Sequence, residues 1–432
     1  MSSSGWRPQR RSTWVALLAA VVVVAAGLGV GVDTVMNHHQ RPPAVEAGNA
    51  TTNKNLIGTV RPPHHASGSP TQAGGSHTNG SRTHGGPKGA KASAVIHRVV
   101  HPAPLVVTAV TPGSGASGVA TNSPLTVSYS EPLAATPPLP TLNPPVAGTW
   151  TASGSVLTFV PTGGWLPFAT ETVTVPAGAT AVVDGVRTAS VAATTTTFTV
   201  EKGSELRLEQ LLSELKYLPF TFTPGLASEA TVPDAVSTSP LAGSLNWAYP
   251  NVPSSLSALW TPGQYNTIDQ GAIMAFESNE NLSVDGIAGP QVWATLLAQV
   301  AGRHVTTQPY DYLIASETLP ESLQVWRDGQ IIFTTPANTG VPGATTQPGT
   351  FPVFERQAVG TMSGTDPNGT KYVDKGIPWI AYFNGSDAVH GFIRPGYGYP
   401  QSNGCVELPI PNAAQVWQMD PYGTLVTVLP PA

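Results

Sequence analysis

The sequence predicts a multidomain, mainly β protein: an N-terminal membrane helix, a β-sandwich, a small three-helix domain and a β-rich C-terminal domain. Three observations carry this. Gly and Pro make up about a fifth of the 432 residues, against about 12% on average, which marks turn-rich β domains and flexible connections. One uncharged apolar run of 21 residues stands near the N-terminus. Beyond residue 103, short β-prone runs between turn signals flank a single region of helical periodicity. At roughly 150 residues per domain, the length suits about three domains.

Composition also excludes. With 41% apolar residues there is material for real cores. A net charge of −5 argues against a nucleic-acid partner, which calls for a basic surface. A single Cys rules out an intramolecular disulfide and a Cys-rich zinc site.

The apolar run is Ser12 to Val32. As a helix it spans about 30 Å, the thickness of the bilayer core. Arg7, Arg10 and Arg11 precede it and Asp33 follows. The positive-inside rule then places residues 1–11 in the cytoplasm and the rest outside. A cleaved signal peptide is the alternative, but the run is long for one and no A-x-A site follows. Residues 33–103 show no apolar periodicity and read as a Gly/Ser/Pro/His-rich linker. About 70 such residues reach near 45 Å. His38, His39, His64 and His65 read as solvated linker residues rather than a metal site.

Residues 104–203 read as the sandwich. Strands are predicted at Leu105–Val110, Leu125–Tyr129, Val156–Val160, Thr172–Val175 and Thr195–Val200. The order V-T-P-G-S-G-A-S-G-V, P-L-T-V-S-Y-S-E-P, G-T-W-T-A-S-G-S-V-L-T-F-V-P resembles bacterial Ig-like domains. Such modules serve as spacers or adhesive units, and no catalytic cluster stands here.

Residues 204–303 are helical. Leu208, Leu211, Leu212 and Leu215 follow an i, i+3, i+4, i+7 pattern, with Ser204 as cap. A second helix fits Ile268–Asn279, with Ile268, Ala272, Ala275 and Phe276 on one face. Asp285-Gly286 makes a turn and Pro290 opens a third helix. The run Asp285-Gly-Ile-Ala-Gly-Pro-Gln-Val-Trp-Ala-Thr-Leu resembles the tail of the three-helix peptidoglycan-binding domain. The plainer alternative is that Asp285, Gly286, Trp293 and Leu296 only build a turn and a core.

Residues 309–430 are again β. A hairpin is predicted around Asp328-Gly329, a turn-to-strand at Gln347–Phe354, strands at Trp379–Phe383, Ala388–Phe392 and Thr424–Leu429, and a short helix at Pro411–Met419. Here stands the chemistry. Cys405, the only thiol, follows a small polar Ser402-Asn403-Gly404 turn. A thiol of ordinary pKa is only a few per cent thiolate at pH 7, so it needs a base. His390 is the partner fifteen residues upstream. The N–H groups of Asn403, Gly404 and Cys405 can converge as an oxyanion hole. Two ligands are too few for zinc.

His390-Gly391, a loop, then Ser402-Asn-Gly-Cys405-Val resembles the signature of the L,D-transpeptidase (YkuD) catalytic domain. Gly340 of Ala-Asn-Thr-Gly, Thr346-Gln-Pro-Gly-Thr-Phe351 and the Ile377–Gly385 strand match further elements in order. The resemblance implies that Cys405 attacks a peptidoglycan stem peptide, expels D-Ala, and passes the acyl group to a second stem as a 3→3 cross-link, with His390 moving the proton. It implies no metal or organic cofactor, and carbapenem-type β-lactams as acylating inhibitors. Tyr382, Phe383, Arg394 and Tyr397, with Gly391 and Ser402, are candidates for the donor groove, Arg394 as a contact for a stem carboxylate and Ser402 as the shaper of the loop, while core packing is the plainer reading of the aromatics. The expected location is the membrane, single-pass, with the catalytic part outside at the cell wall and its glycan.

Two positions depart from the family. Asn403 stands where the family has His, and Glu407 where it has Arg or Asn. A carboxylate there raises a thiol pKa by repulsion. Three alternatives stay open: an L,D-carboxypeptidase, an enzyme anchoring proteins to the wall, and a non-catalytic wall-binding scaffold. NlpC/P60-type peptidases have the reverse Cys–His order, and the sortase T-L-x-T-C strand is absent.

Overall fold

The computed structural model describes residues 102–225 and 237–432. The predicted tail 1–11, membrane helix 12–32 and all but the end of the linker 33–103 lie outside the described residues. Among the described residues no helix is long and apolar enough to cross a membrane.

The first folded segment holds β1 (Val107–Thr111), β2 (Ala116–Val119), β3 (Leu125–Tyr129), β4 (Thr141–Asn143), β5 (Gly148–Ser153), β6 (Val156–Pro161), β7 (Thr170–Val175), β8 (Thr180–Val183), β9 (Val186–Ala189) and β10 (Thr194–Val200). Two four-stranded sheets, β1-β3-β6-β5 and β2-β10-β7-β4, make the expected sandwich. On β3, Leu125, Val127 and Tyr129 are buried while Thr126 and Ser128 are only half-buried, the period-2 pattern of a one-sided strand. Trp165 anchors the core, 5.7 Å from the Phe159 ring and 5.2 Å from the Phe198 ring. Glu171 of β7 breaks the apolar rule. It is fully buried, neither carboxylate oxygen has a hydrogen-bond partner, and burial pushes its pKa up to about 7.

The second segment contains α1 (Glu205–Glu214), β11 (Phe220–Pro224), β12 (Gly243–Trp247), the single turn α2 (Ser254–Ser257), α3 (Thr267–Asn279) and α4 (Pro290–Gly302). Ser204 caps α1 by accepting from the Arg207 N–H. Asn266 and Asp269 form a capping box on α3, and Pro290 sits in the first turn of α4. The β11–β12 hairpin was not predicted; its strands are mostly exposed, so no apolar alternation announced them. Trp293 and Leu296 are buried core residues, and Asp285 caps its own turn by accepting from the Ile287 N–H at 2.9 Å.

The third segment comprises β13 (Asp311–Ser316), β14 (Ser322–Arg327), β15 (Gln330–Pro336), β16 (Gly349–Pro352), β17 (Glu355–Thr365), β18 (Lys371–Asn384), β19 (Asp387–Gly391), β20 (Val406–Leu408), α5 (Ile410–Val416) and β21 (Leu425–Leu429). One sheet runs β15-β14-β13-β21-β16 and the other β17-β18-β19-β20. Asp328 and Gly329, both at positive φ, turn β14 into β15 as predicted.

Strand alternation divides the five-stranded sheet between two cores. Leu313, Val325, Val426 and Val428 face the second sheet and α5, with Phe383, Val389, Val406 and Val416. Tyr312, Trp326 and Leu425 point the other way, into a core shared with Leu211, Ile273, Phe276 and Trp293 of the helices. The Tyr312 hydroxyl donates to Ser255 Oγ at 2.8 Å, and Trp326 Nε1 donates to the Asn251 carbonyl at 3.0 Å. Helix α3 approaches so closely that a Cβ on Gly271 would stand 2.5 Å from the Gly423 carbonyl oxygen. The sequence boundary near residue 304 is therefore no core boundary.

Candidate active site

His390 lies on β19 and Cys405 just ahead of β20, and these strands pair in parallel with Val389 opposite Val406 and His390 opposite Glu407. The same register places Cys405 beside Ala388, two residues before the histidine. The Ala388 N–H reaches the Cys405 sulfur, and the thiol is 3.7 Å from the Ser386 carbonyl, its acceptor. The β pairing thus brings together the two residues singled out from the sequence.

His390 is buried, and its Nδ1 lies 3.1 Å from the Gly391 carbonyl. A carbonyl only accepts, so Nδ1 carries the proton and Nε2 is left basic. Burial pushes the imidazole pKa down, opposed by the Gly391 bond and the Glu407 charge. Burial also pushes the Cys405 thiol up to about 12; the Ala388 N–H opposes this, and Asp387 and Glu407 add to it. The resting pair is a neutral thiol and a neutral imidazole, the protonation states that general-base activation needs.

The Ser402–Cys405 loop is stapled to the segment after β15. Gln401 and Ser402 N–H groups donate to the Thr339 carbonyl, Val341 N–H donates to the Ser402 carbonyl, and Asn338 and Glu407 exchange backbone bonds. Thr339 is itself held by Glu321, which accepts from its N–H at 2.6 Å and its hydroxyl at 2.7 Å. Ser402 is buried; its hydroxyl donates to the Cys405 carbonyl at 2.6 Å and accepts from the Gly404 N–H at 3.2 Å. It shapes the loop. It also occupies the Gly404 N–H, so of the three predicted oxyanion donors this one is already bonded. Gly404 has φ +115°, and a Cβ there would lie 2.5 Å from Asp387 Oδ1, so the position admits only glycine without strain.

The groove candidates sort between the site and the core. Tyr382 packs in a small cluster with Cys405, Phe392 and Met362. Phe383, the next residue on β18, points to the opposite face and is buried against Phe351, ring centroids 6.1 Å apart. Consecutive strand residues cannot line the same groove, so Phe383 is a core residue. Gly391 is likewise interior, packed toward Pro378, Ile410 and Ala413. Arg394 is not a spare cation for a substrate carboxylate. It donates to Glu407 through Nε at 2.8 Å and Nη2 at 2.7 Å, and to the Gln401 carbonyl at 3.0 Å. The acid that departs from the family pattern is neutralised by an Arg from the preceding loop. Tyr397 locks that loop by accepting from the Arg394 N–H at 3.2 Å.

Sequence reasoning placed a strand at Trp379–Phe383, within β18, but missed β17 and the outer half of the β17–β18 hairpin. That outer half buries little, with only Met362, Tyr372 and Asp374 half-buried, and its sequence shows no clear apolar alternation. The Asp366-Pro-Asn-Gly turn was the available signal. The hairpin brings Tyr372 near Cys405, close enough for a thiolate to raise the Tyr372 hydroxyl pKa, a lesser effect there than burial. Beside it lies a cleft of about 600 Å³ lined by Val341, Asp366, Tyr372, Arg394, Gln401 and Asn403. Among the described residues no group of three or more His, Cys, Asp or Glu side chains is placed to hold a metal ion.

The C-terminal β domain thus carries its one thiol and a buried imidazole on neighbouring, paired strands. Residues 311–428 match the family model of the L,D-transpeptidase catalytic domain, and residues 101–200 that of the bacterial Ig-like domain. The chain thus carries a catalytic domain of the L,D-transpeptidase family downstream of a bacterial Ig-like domain. Similar solved structures include an L,D-transpeptidase from Mycobacterium smegmatis, 16% identical over 76% of this chain and 99% of that chain, TM-score 0.25. L,D-transpeptidase 3 from Mycobacterium tuberculosis, with a faropenem-derived adduct, is 14% identical over 75% and 97%, TM-score 0.25. The catalytic domain of the E. faecium L,D-transpeptidase is 22% identical over 28% and 99%, TM-score 0.26. No curated protein matches the chain.

Proposed function

We propose that this chain is a cell-wall L,D-transpeptidase that forms 3→3 cross-links. The observation that carries the reading is the Cys405 thiol beside His390, whose Nδ1 bond to Gly391 leaves Nε2 as base, within a domain of this family. Cys405 Sγ attacks the carbonyl of the third stem residue. Nε2 takes the thiol proton and delivers it to the departing D-Ala amine, leaving a thioester. The Asn403 and Cys405 N–H groups are the donors left for the developing oxyanion, since the Gly404 N–H is held by Ser402. The side-chain amine of a second stem then displaces the thiol, and the sulfur recovers its proton. With water as acceptor the same thioester gives an L,D-carboxypeptidase. A protein amine as acceptor gives covalent anchoring to the wall.

The apolar run 12–32 is read as a membrane anchor, with the linker carrying the folded part toward the wall outside the cell. The helical segment is read as a wall-binding module through its Asp285–Leu296 resemblance, and the Ig-like domain as a spacer. Carbapenems acylate Cys405 through their lactam carbonyl.

The test is intact mass spectrometry of residues 104–432, alone, with a carbapenem and with a tetrapeptide-stem muropeptide, beside Cys405→Ala. Expected are an adduct on the wild type only and release of D-Ala, with product mass separating cross-linking from trimming. Folded wild type giving neither adduct nor D-Ala overturns the enzyme reading in favour of a scaffold.

A further inference from the structure

We propose that Asn403 is a positioning residue whose side-chain amide latches the tip of the β17–β18 hairpin beside the Ser402–Cys405 loop and so fixes one wall of the site. The residue sits two positions before Cys405, where the family has His. Its Nδ2 donates to Asp366 Oδ1 at 2.7 Å, across 37 residues of sequence. The same side chain reaches the Tyr372 hydroxyl. Asp366 is held in a tight tip: its N–H donates to the Thr370 carbonyl, its carbonyl accepts from Gly369, and Asn368 Oδ1 accepts from the Thr370 N–H. The next residue, Pro367, comes against the far wall, where a Cβ on Gly343 would stand 3.3 Å from its ring. The tip residues Asp366, Pro367 and Asn368 therefore line the roughly 600 Å³ cleft together with Asn403.

The charge on Asp366 strengthens a single bond that is exposed to solvent. Water competes for it, so the latch is strong enough to set a preferred position and weak enough to open. Beyond the latch, β17 and β18 pair only with each other over Thr361–Thr365 and Lys371–Lys375. Such a two-stranded ribbon has little stability of its own, so its tip position depends on what it grips. Tyr372 sits on this ribbon and faces Cys405, and unhooking the tip shifts one wall of the site relative to the thiol.

The inference rests on the acyl-transfer reading for its substrate, but the latch itself is read without substrate. Steady-state kinetics on a tetrapeptide-stem donor are measured for Asn403→Ala, Asp366→Ala, the double variant and Asp366→Asn, in residues 104–432. Each Ala variant raises KM about tenfold while kcat moves less than about threefold, and the double variant is no worse than the worse single. Asp366→Asn keeps a carbonyl acceptor and stays within about threefold of wild type. Hydrogen exchange of amides 366–371 speeds up in the Ala variants, and a bulky maleimide gains on iodoacetamide at Cys405. Multiplying single-site losses, or unchanged exchange and reagent ratio, overturns the latch. If the wild type turns over no stem, yet exchange and reagent ratio respond together, the substrate assignment fails and the latch stands.

Discussion

Cys405 is the only thiol, so its reactivity can be followed without interference. The structure raises its pKa from the ordinary 9.0 to about 12. A three-unit rise is about 4 kcal/mol against the thiolate. At pH 8 an ordinary thiol is about one-tenth ionised and this one about one part in ten thousand, a thousandfold deficit. The more basic thiolate is also the better nucleophile; with a Brønsted slope of 0.4–0.5 it recovers about 25-fold. Alkylation by iodoacetamide at pH 8 is therefore expected to run about 40-fold slower than for an exposed cysteine peptide, and to climb about tenfold per pH unit through pH 10 without levelling. The assay is adduct formation by intact mass spectrometry from pH 6 to 10.5, on protein shown to be folded. A plateau with its midpoint between pH 5 and 7 would refute the reasoning, because it would mean a resting thiolate–imidazolium pair. The companion His390→Ala leaves this alkylation slope in place but slows carbapenem acylation at least about 100-fold, since the base acts when the acyl group arrives.

Three further outcomes follow from individual side chains. Glu171 holds its proton up to about pH 7 in the folded chain but only to its ordinary 4.5 when unfolded; stability is therefore greatest below 4.5 and falls by about 3 kcal/mol as pH rises to 7. Urea unfolding of wild type and Glu171→Gln at pH 4 and pH 8 checks this, and parallel losses in both proteins would contradict it. Arg394→Met strands buried Glu407 without a partner and costs about 3 kcal/mol, while adding Glu407→Leu returns most of it; thermal melts showing simple addition of the two losses would sink that coupling. Gly404→Ala, forced to φ +115° against Asp387, lowers the carbapenem acylation rate more than tenfold with a melting point within a few degrees of wild type; wild-type acylation would show that the turn relaxes freely.

Much of the framework was legible because one-sided burial leaves a periodic trace. β3 and the Leu208–Leu215 helix stand where alternation and i, i+3, i+4 spacing put them. Cys405 and His390 stood out in the sequence because a lone thiol after a small turn has few bland explanations, and the β19–β20 pairing sets them on neighbouring strands. What stayed hidden was whatever depends on partners distant in sequence. Arg394 read as a free cation because nothing local points to Glu407. Phe383 stayed open between groove and core because strand direction, not residue type, decides which face it takes. The outer half of the β17–β18 hairpin, where only Met362, Tyr372 and Asp374 are half-buried, left little hydrophobic signature.

The shared core beneath Tyr312, Trp326 and Leu425 also governs how the chain can be cut. The connection from residue 301 to 309 is mostly exposed, an open site for a protease. A nick there would not free the catalytic half, because the two fragments remain clasped through Trp293, Phe276 and the sheet side chains they cover. A recombinant fragment beginning at residue 309 would instead bare those aromatics to water and aggregate. Any truncation meant to isolate the thiol chemistry has to keep the helices from residue 204 onward.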